Sequence, residues 1–160
     1  MWESLKPFFV WNDKTWLGQA ISGTIWAFPV IETIHILALT MMFGAIVIID
    51  LRMLGLGMKK QPVSVLAKNL EPYMTWGLVI MLTSGYMLFT SEAMKSFVNA
   101  GFKFKMEVLF PAIIFQFTLF RWITHKDEDQ RPRLLGWVSA LLSLVLWFGV
   151  GVGGRAIGFV

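Results

Sequence analysis

Cysteine is absent from this chain of 160 residues. Disulfides, zinc-thiolate sites, iron–sulfur clusters and c-type haem attachment are therefore excluded. Charge is scarce too: 15% of residues are Asp, Glu, Lys or Arg, against about 25% in soluble domains. The formal charge of +4 is small, and the basic residues sit at the ends of apolar segments rather than along one stripe. That pattern gives nucleic acid little as a partner and suits anchoring in anionic lipid headgroups. The opening Met1-Trp2-Glu3-Ser4-Leu5-Lys6-Pro7 lacks a basic region followed by an apolar stretch and a small-residue cleavage site. The first spanning helix is thus expected to be retained.

What remains is apolar. Hydrophobic residues make up 56% of the chain, with eight Trp and 14 Phe against two Tyr, and Trp favours the membrane–water boundary. The expected fold is all-α: an integral membrane antiparallel four-helix bundle in one domain, residues 1–160, with the lipid bilayer as its solvent. Residues 1–22 mix Trp2, Phe8, Phe9, Trp11 and Trp16 with Lys6, Asp13 and Lys14, a pattern that suits an interfacial amphipathic segment. Spans are expected at about 25–49, 72–90, 105–124 and 134–157, each near the ~20 residues that cross the hydrocarbon. The stretch from Lys126 to Arg133 reads as a solvated loop, and short connections favour an up-down bundle. The two connections 50–71 and 121–133 carry eight Lys and Arg, and the opposite side carries six. This bias places both termini in the periplasm of a bacterial inner membrane.

Ionisable residues inside a span are costly, so each is a functional candidate. His35 lies ~15 Å into the first span at 1.5 Å per residue, with Met81, Gln116 and Trp147 expected near its level. Glu32, Lys105, Glu107 and Arg155 lie nearer the surface. An imidazole from a bundle helix is the usual protein ligand of b-type haem, and the alternative is a neutral imidazole bonded to a neighbouring helix. Gly149, Gly151, Gly153 and Gly154 either make room for a macrocycle or pack helices closely. Lys105 and Arg155 suit haem propionates, or salt bridges to Glu32 and Glu107. Glu32 and His35 form Glu-x-x-His, one copy of a motif that di-metal bundles use twice, so a mononuclear metal site is the rival reading. His125 reads as a solvated loop histidine. Met81 is core filler or a weak second axial ligand, and Asp50 with Arg52 is expected to form a local ion pair.

Several motifs run almost end to end: Trp26-x-Phe28-Pro29-x-Ile31-Glu32-x-x-His35, Asp50-Leu51-Arg52-x-Leu54-Gly55-Leu56, Gln61-Pro62-Val63, Ser84-Gly85-x-x-Leu88-Phe89, Phe102-x-x-Lys105 and Gly153-Gly154-Arg155-x-Ile157. Through them the chain resembles a bacterial family of small, functionally uncharacterised four-helix membrane proteins. More distantly, its layout is similar to the membrane-bound protoporphyrinogen oxidase family and the copper-resistance membrane proteins. The former resemblance implies bound haem b, with a first-helix histidine and a later lysine that correspond by position to His35 and Lys105.

The expectation is therefore a membrane protein that binds haem b, with His35, Lys105, Arg155, Gln116 and Met81 around the cofactor, in a redox or electron-transfer role. A membrane redox partner, a larger complex or a homodimer would accompany it. As an enzyme it would oxidise a porphyrinogen or quinol between His35 and Lys105. Two rival classes stand beside it: a cofactor-free accessory subunit, and a copper or other metal-binding or transport protein acting through Glu32 and His35.

Overall fold

A computed structural model describes residues 2–57, 60–126 and 132–159. Among them the regular structure is helical throughout, with no strand. Two short helices, α1 (Lys6–Asp13) and α2 (Trp16–Ser22), follow a single 3-10 turn at Glu3–Leu5. Four long helices come next: α3 (Ala27–Met53), α4 (Val63–Ser91), α6 (Ala100–Thr124) and α7 (Arg133–Ala156). The short α5 (Ala93–Val98) joins α4 to α6. All four long helices are long and apolar enough to cross a membrane. Their outward faces confirm the reading, since Leu37, Trp76, Val79, Phe110, Leu141 and Val145 are exposed. Helices apolar on every side belong in a bilayer.

Local chemistry sets the helix ends. α3 closes in a Schellman motif: Gly55 takes φ 78°, its N–H donates to the Arg52 carbonyl, and Leu56 donates to the Leu51 carbonyl. Only glycine adopts that left-handed backbone without penalty. Asn99 caps α6 by accepting from the Phe102 N–H at 2.9 Å, which satisfies one of the four orphan donors of a helix start.

Two boundaries differ from expectation. α4 starts at Val63, nine residues before the proline that was expected to open it, and Pro72 lies inside the helix. The extra turns bury Val63, Leu66 and Ala67 in the core, and that burial outweighs one lost backbone hydrogen bond. The third span starts at Ala100 rather than near Lys105, and residues Gln116–Phe120 within it form a π-helical turn. Most of the expected charged loop, Asp127 to Arg131, lies outside the described residues.

α3 packs along α4 and α7, and α7 packs along α6. α4 and α6 do not run against each other; the ring closes between α4 and the Arg121–Thr124 end of the third span. The end of the bundle away from the termini is therefore the closed one. Glycines seat the close approaches: a methyl on Gly77 would stand 2.8 Å from Met42 Cβ, and one on Gly153 would stand 3.0 Å from Lys105 Cα. This is small-residue helix packing, and Gly149 against Val108 continues it. Met42, Ile46, Ile49, Met81, Phe120, Ile123, Trp147 and Val150 fill the core.

At the terminal end, α2 packs on α4 and α3, and α1 packs on α5 and α4. Phe9 is buried against Phe89, Phe97 and Phe102, with edge contacts at 5.1–6.1 Å. Tyr86 donates to Asn12 Oδ1 at 3.0 Å, tying α1 to α4.

Candidate functional site

His35 sits on the face of α3 that meets α4, half-buried, in a slot that Gly85 leaves open. Its Nδ1 lies 3.0 Å from Ser84 Oγ. The Ser84 hydroxyl has one proton, and it goes to the Ile80 carbonyl at 2.6 Å. With that hydrogen on the Ile80 carbonyl, Ser84 Oγ accepts from the Nδ1–H tautomer of His35, the tautomer that keeps the lone pair on Nε2. The Met81 carbonyl, another acceptor, lies beside the same imidazole. A histidine held through Nδ1 with Nε2 unprotonated is oriented as a metal-ligating imidazole is.

Lys105 reaches the same region from α6 and is close enough to act on His35 electrostatically. Its side chain runs across Gly153 and Gly154 of α7, with Nζ 3.7 Å from where a Gly154 methyl would stand. Neither expected carboxylate meets it. Glu107 instead accepts from Trp2 Nε1 at 3.1 Å, and Glu32 is exposed. Lys105 is left without an ion pair among the described residues. A half-buried lysine with no ion pair among the described residues, beside an imidazole that can donate a lone pair, is suited to a ligand with an anionic edge and an electron-poor centre.

The other candidates lie elsewhere. Gln116 is buried, but Trp147 Nε1 donates to its Oε1 at 3.1 Å and its Nε2 reaches Met74 Sδ at 3.6 Å. Met74 is seven residues, or about 10 Å, along α4 from Met81, so Gln116 and Trp147 lie below the level of His35. Counting the third span from Lys105 instead of Ala100 is what misplaced Gln116. Arg155 is exposed and stacks on Phe159 at 4.7 Å. Met81 is fully buried in the core.

The remaining ionisable groups correct two expectations. His125 is not a freely solvated loop residue: it is half-buried at the end of α6, with Nε2 3.2 Å from Glu71. Glu71 also pairs with Arg121 at 2.8 Å, and a small cavity between them is lined by Met74, Gln116 and Phe120. Asp50 does not pair with Arg52. Its carboxyl is fully buried with both oxygens unengaged, while Arg52 Nε donates to the Gln61 carbonyl at 2.7 Å. At the opposite rim, Lys95 donates to Glu92, which raises the lysine above its ordinary pKa. Among the described residues no group of three or more His, Asp or Glu side chains is arranged to hold a metal ion.

The family model that matches residues 8–160 is that of a family of unknown function, DUF6644. The chain belongs to DUF6644. Membership of this family brings no activity with it, and no curated protein and no solved structure matched the chain. Nor do these comparisons show a link to the protoporphyrinogen oxidase or copper-resistance families. For this DUF6644 chain the function has to be argued from the residues.

Sequence reasoning placed His35 and Lys105 together but missed Ser84 and Gly85, which hold the imidazole. The Ser-Gly pair inside an apolar helix was the available signal. Its meaning depends on the register between α3 and α4.

Proposed function

We propose that this multi-pass membrane protein binds haem b through His35 and serves in electron transfer. The observation that carries the reading is the contact of His35 Nδ1 with Ser84 Oγ at 3.0 Å, which orients the imidazole and, in the Nδ1–H tautomer, keeps Nε2 available as a ligand. Lys105, lacking an ion pair among the described residues, supplies the cation for a propionate. Haem bound there would supply a one-electron couple at its iron.

The protein's own groups have separable tasks. Ser84 fixes the imidazole tautomer and rotation, and Gly85 gives the ring room to lie against α4. Lys105 would pair with the acidic edge of the ligand, and Arg155, exposed near the terminal end, would be a second cation for it. Gln116 is committed to Trp147 and Met74, so its part is to hold the core below the ligand. Met81, fully buried in the core, and His35 of a second copy are the further side chains that would be able to help hold the group. The protein is proposed to reside in a bacterial inner membrane with both termini periplasmic, on its Lys and Arg distribution.

Copper binding through Glu32 and His35 draws less support, since Glu32 is exposed and no third His, Asp or Glu among the described residues joins them. The test is the visible spectrum of protein purified from native membranes in mild detergent. A Soret band that His125→Ala retains and His35→Ala loses is expected, with helicity unchanged. Lys105→Met should weaken haem retention without removing it. If the native preparation has no Soret band, the haem reading fails and the accessory-subunit reading takes its place.

A further inference from the structure

Asp50 lies near the end of α3, fully buried, and neither carboxyl oxygen has a hydrogen-bond partner among the described residues. The polar group that faces it is Ser143 of α7, close by without closing a hydrogen bond. Ser143 is fully buried as well, and its Oγ is equally unengaged. Other core hydroxyls behave differently. Ser84 donates to the Ile80 carbonyl and Ser139 to the Leu135 carbonyl, each four residues back along its own helix. That is how such side chains are usually satisfied in helices. Ser143 alone of these three keeps a hydroxyl able to donate to Asp50 or accept from it.

Among the described residues, no cation offsets the carboxyl. On α3, Arg52 is bonded to the Gln61 carbonyl. On α4, Lys68 is exposed and Glu71 is committed to Arg121 and His125. On α7, Arg133 is exposed at the first turn. A bare carboxylate in this setting is strongly unfavourable, because low-dielectric surroundings replace neither the lost water nor the missing counter-charge. A bound cation removes the conflict.

We infer that Asp50 and Ser143 form an intramembrane site for a single monovalent cation, and that its occupant is a proton. Three oxygens from two side chains are enough to hold a proton between a carboxyl and a hydroxyl. A hard metal ion would want about six oxygen ligands. Asp50 is three residues from the last residue of α3, about 5 Å along the axis, so its short route to water is the end of the bundle away from the termini. The site is roughly 22 Å along α3 from His35. The inference therefore stands whether or not haem is bound.

Infrared spectroscopy of the detergent-solubilised full chain tests it. At neutral pH the native protein should show the carbonyl stretch of a weakly hydrogen-bonded carboxylic acid, shifted on deuteration. That band should vanish in Asp50→Asn, which keeps the shape and removes the proton site, and should move in Ser143→Ala. If Asp50→Asn does not fold, Ser143→Ala decides alone, and an unmoved band overturns the inference. Absence of the band from the native protein overturns it too. So does a melting temperature that sodium raises over choline at equal ionic strength in the native protein but not in Asp50→Asn. That result would make the occupant a metal ion.

Discussion

The imidazole of His35 rests against Gly85 so closely that a methyl group there would stand 3.0 Å from Cε1 and 3.4 Å from Nδ1. Gly85→Ala should therefore push the ring off Ser84. Overpacking of this kind costs about 1–3 kcal/mol. A lower melting temperature in detergent is expected, together with loss of whatever ligand His35 holds. An alanine variant with native ligand content would show that the ring position is unimportant.

Ser84→Ala removes the acceptor for His35 Nδ1 without adding bulk. The cost in stability should be modest, about 1 kcal/mol, because the serine hydroxyl is otherwise bonded only within its own helix. Ligand retention should fall by more than that small loss of stability explains. Equal ligand content in wild type and variant, measured on matched folded material, would remove Ser84 from the site.

Gln116→Leu leaves the Trp147 indole N–H buried without its acceptor. An orphaned donor of that kind costs about 1–3 kcal/mol. Replacing Trp147 by Phe in the same chain should recover part of the loss, since neither partner then needs the other. Strict additivity of the two changes would mean that the bond contributes nothing.

A methyl on Gly18 would stand 2.4 Å from the Thr90 carbonyl oxygen, and backbone cannot yield as a side chain does. Gly18→Ala should lift α2 from α4 and expose the α1–α2 segment to protease while the four long helices persist. Unchanged cleavage by a protease added to the variant would contradict the close approach.

Orientation is open to labelling, because the chain has no cysteine of its own. With both termini in the periplasm, a cysteine introduced at Lys95 should react with an impermeant thiol reagent in intact cells. One introduced at Lys60 should not. The reverse pattern would invert the topology.

How much of this was legible beforehand depended on the kind of signal. The long apolar runs carried the all-helical bundle, since twenty or more apolar residues can be satisfied in hydrocarbon only as helix. The start of α4 was misread because Pro72 is a strong local breaker, while the burial of Val63, Leu66 and Ala67 that overrides it is a tertiary effect. Gln116 was set at the wrong depth for a related reason: α6 begins at an Asn99 cap that its apolar pattern does not mark.

The amino-acid sequence by itself determined that the chain has four helices long and apolar enough to span a bilayer, and that His35 and Lys105 are ionisable groups in apolar helices. Residue type decides both, because a long apolar run, and an ionisable side chain within it, are read directly from the order of residues. Tertiary structure decided their partners. It paired His35 with Ser84 rather than Glu32, left Lys105 without a carboxylate among the described residues, and turned Asp50 from Arg52 towards Ser143. Those outcomes rest on the rotation and register of one helix against another. Side chains distant in sequence set that register through packing, and no local pattern encodes it.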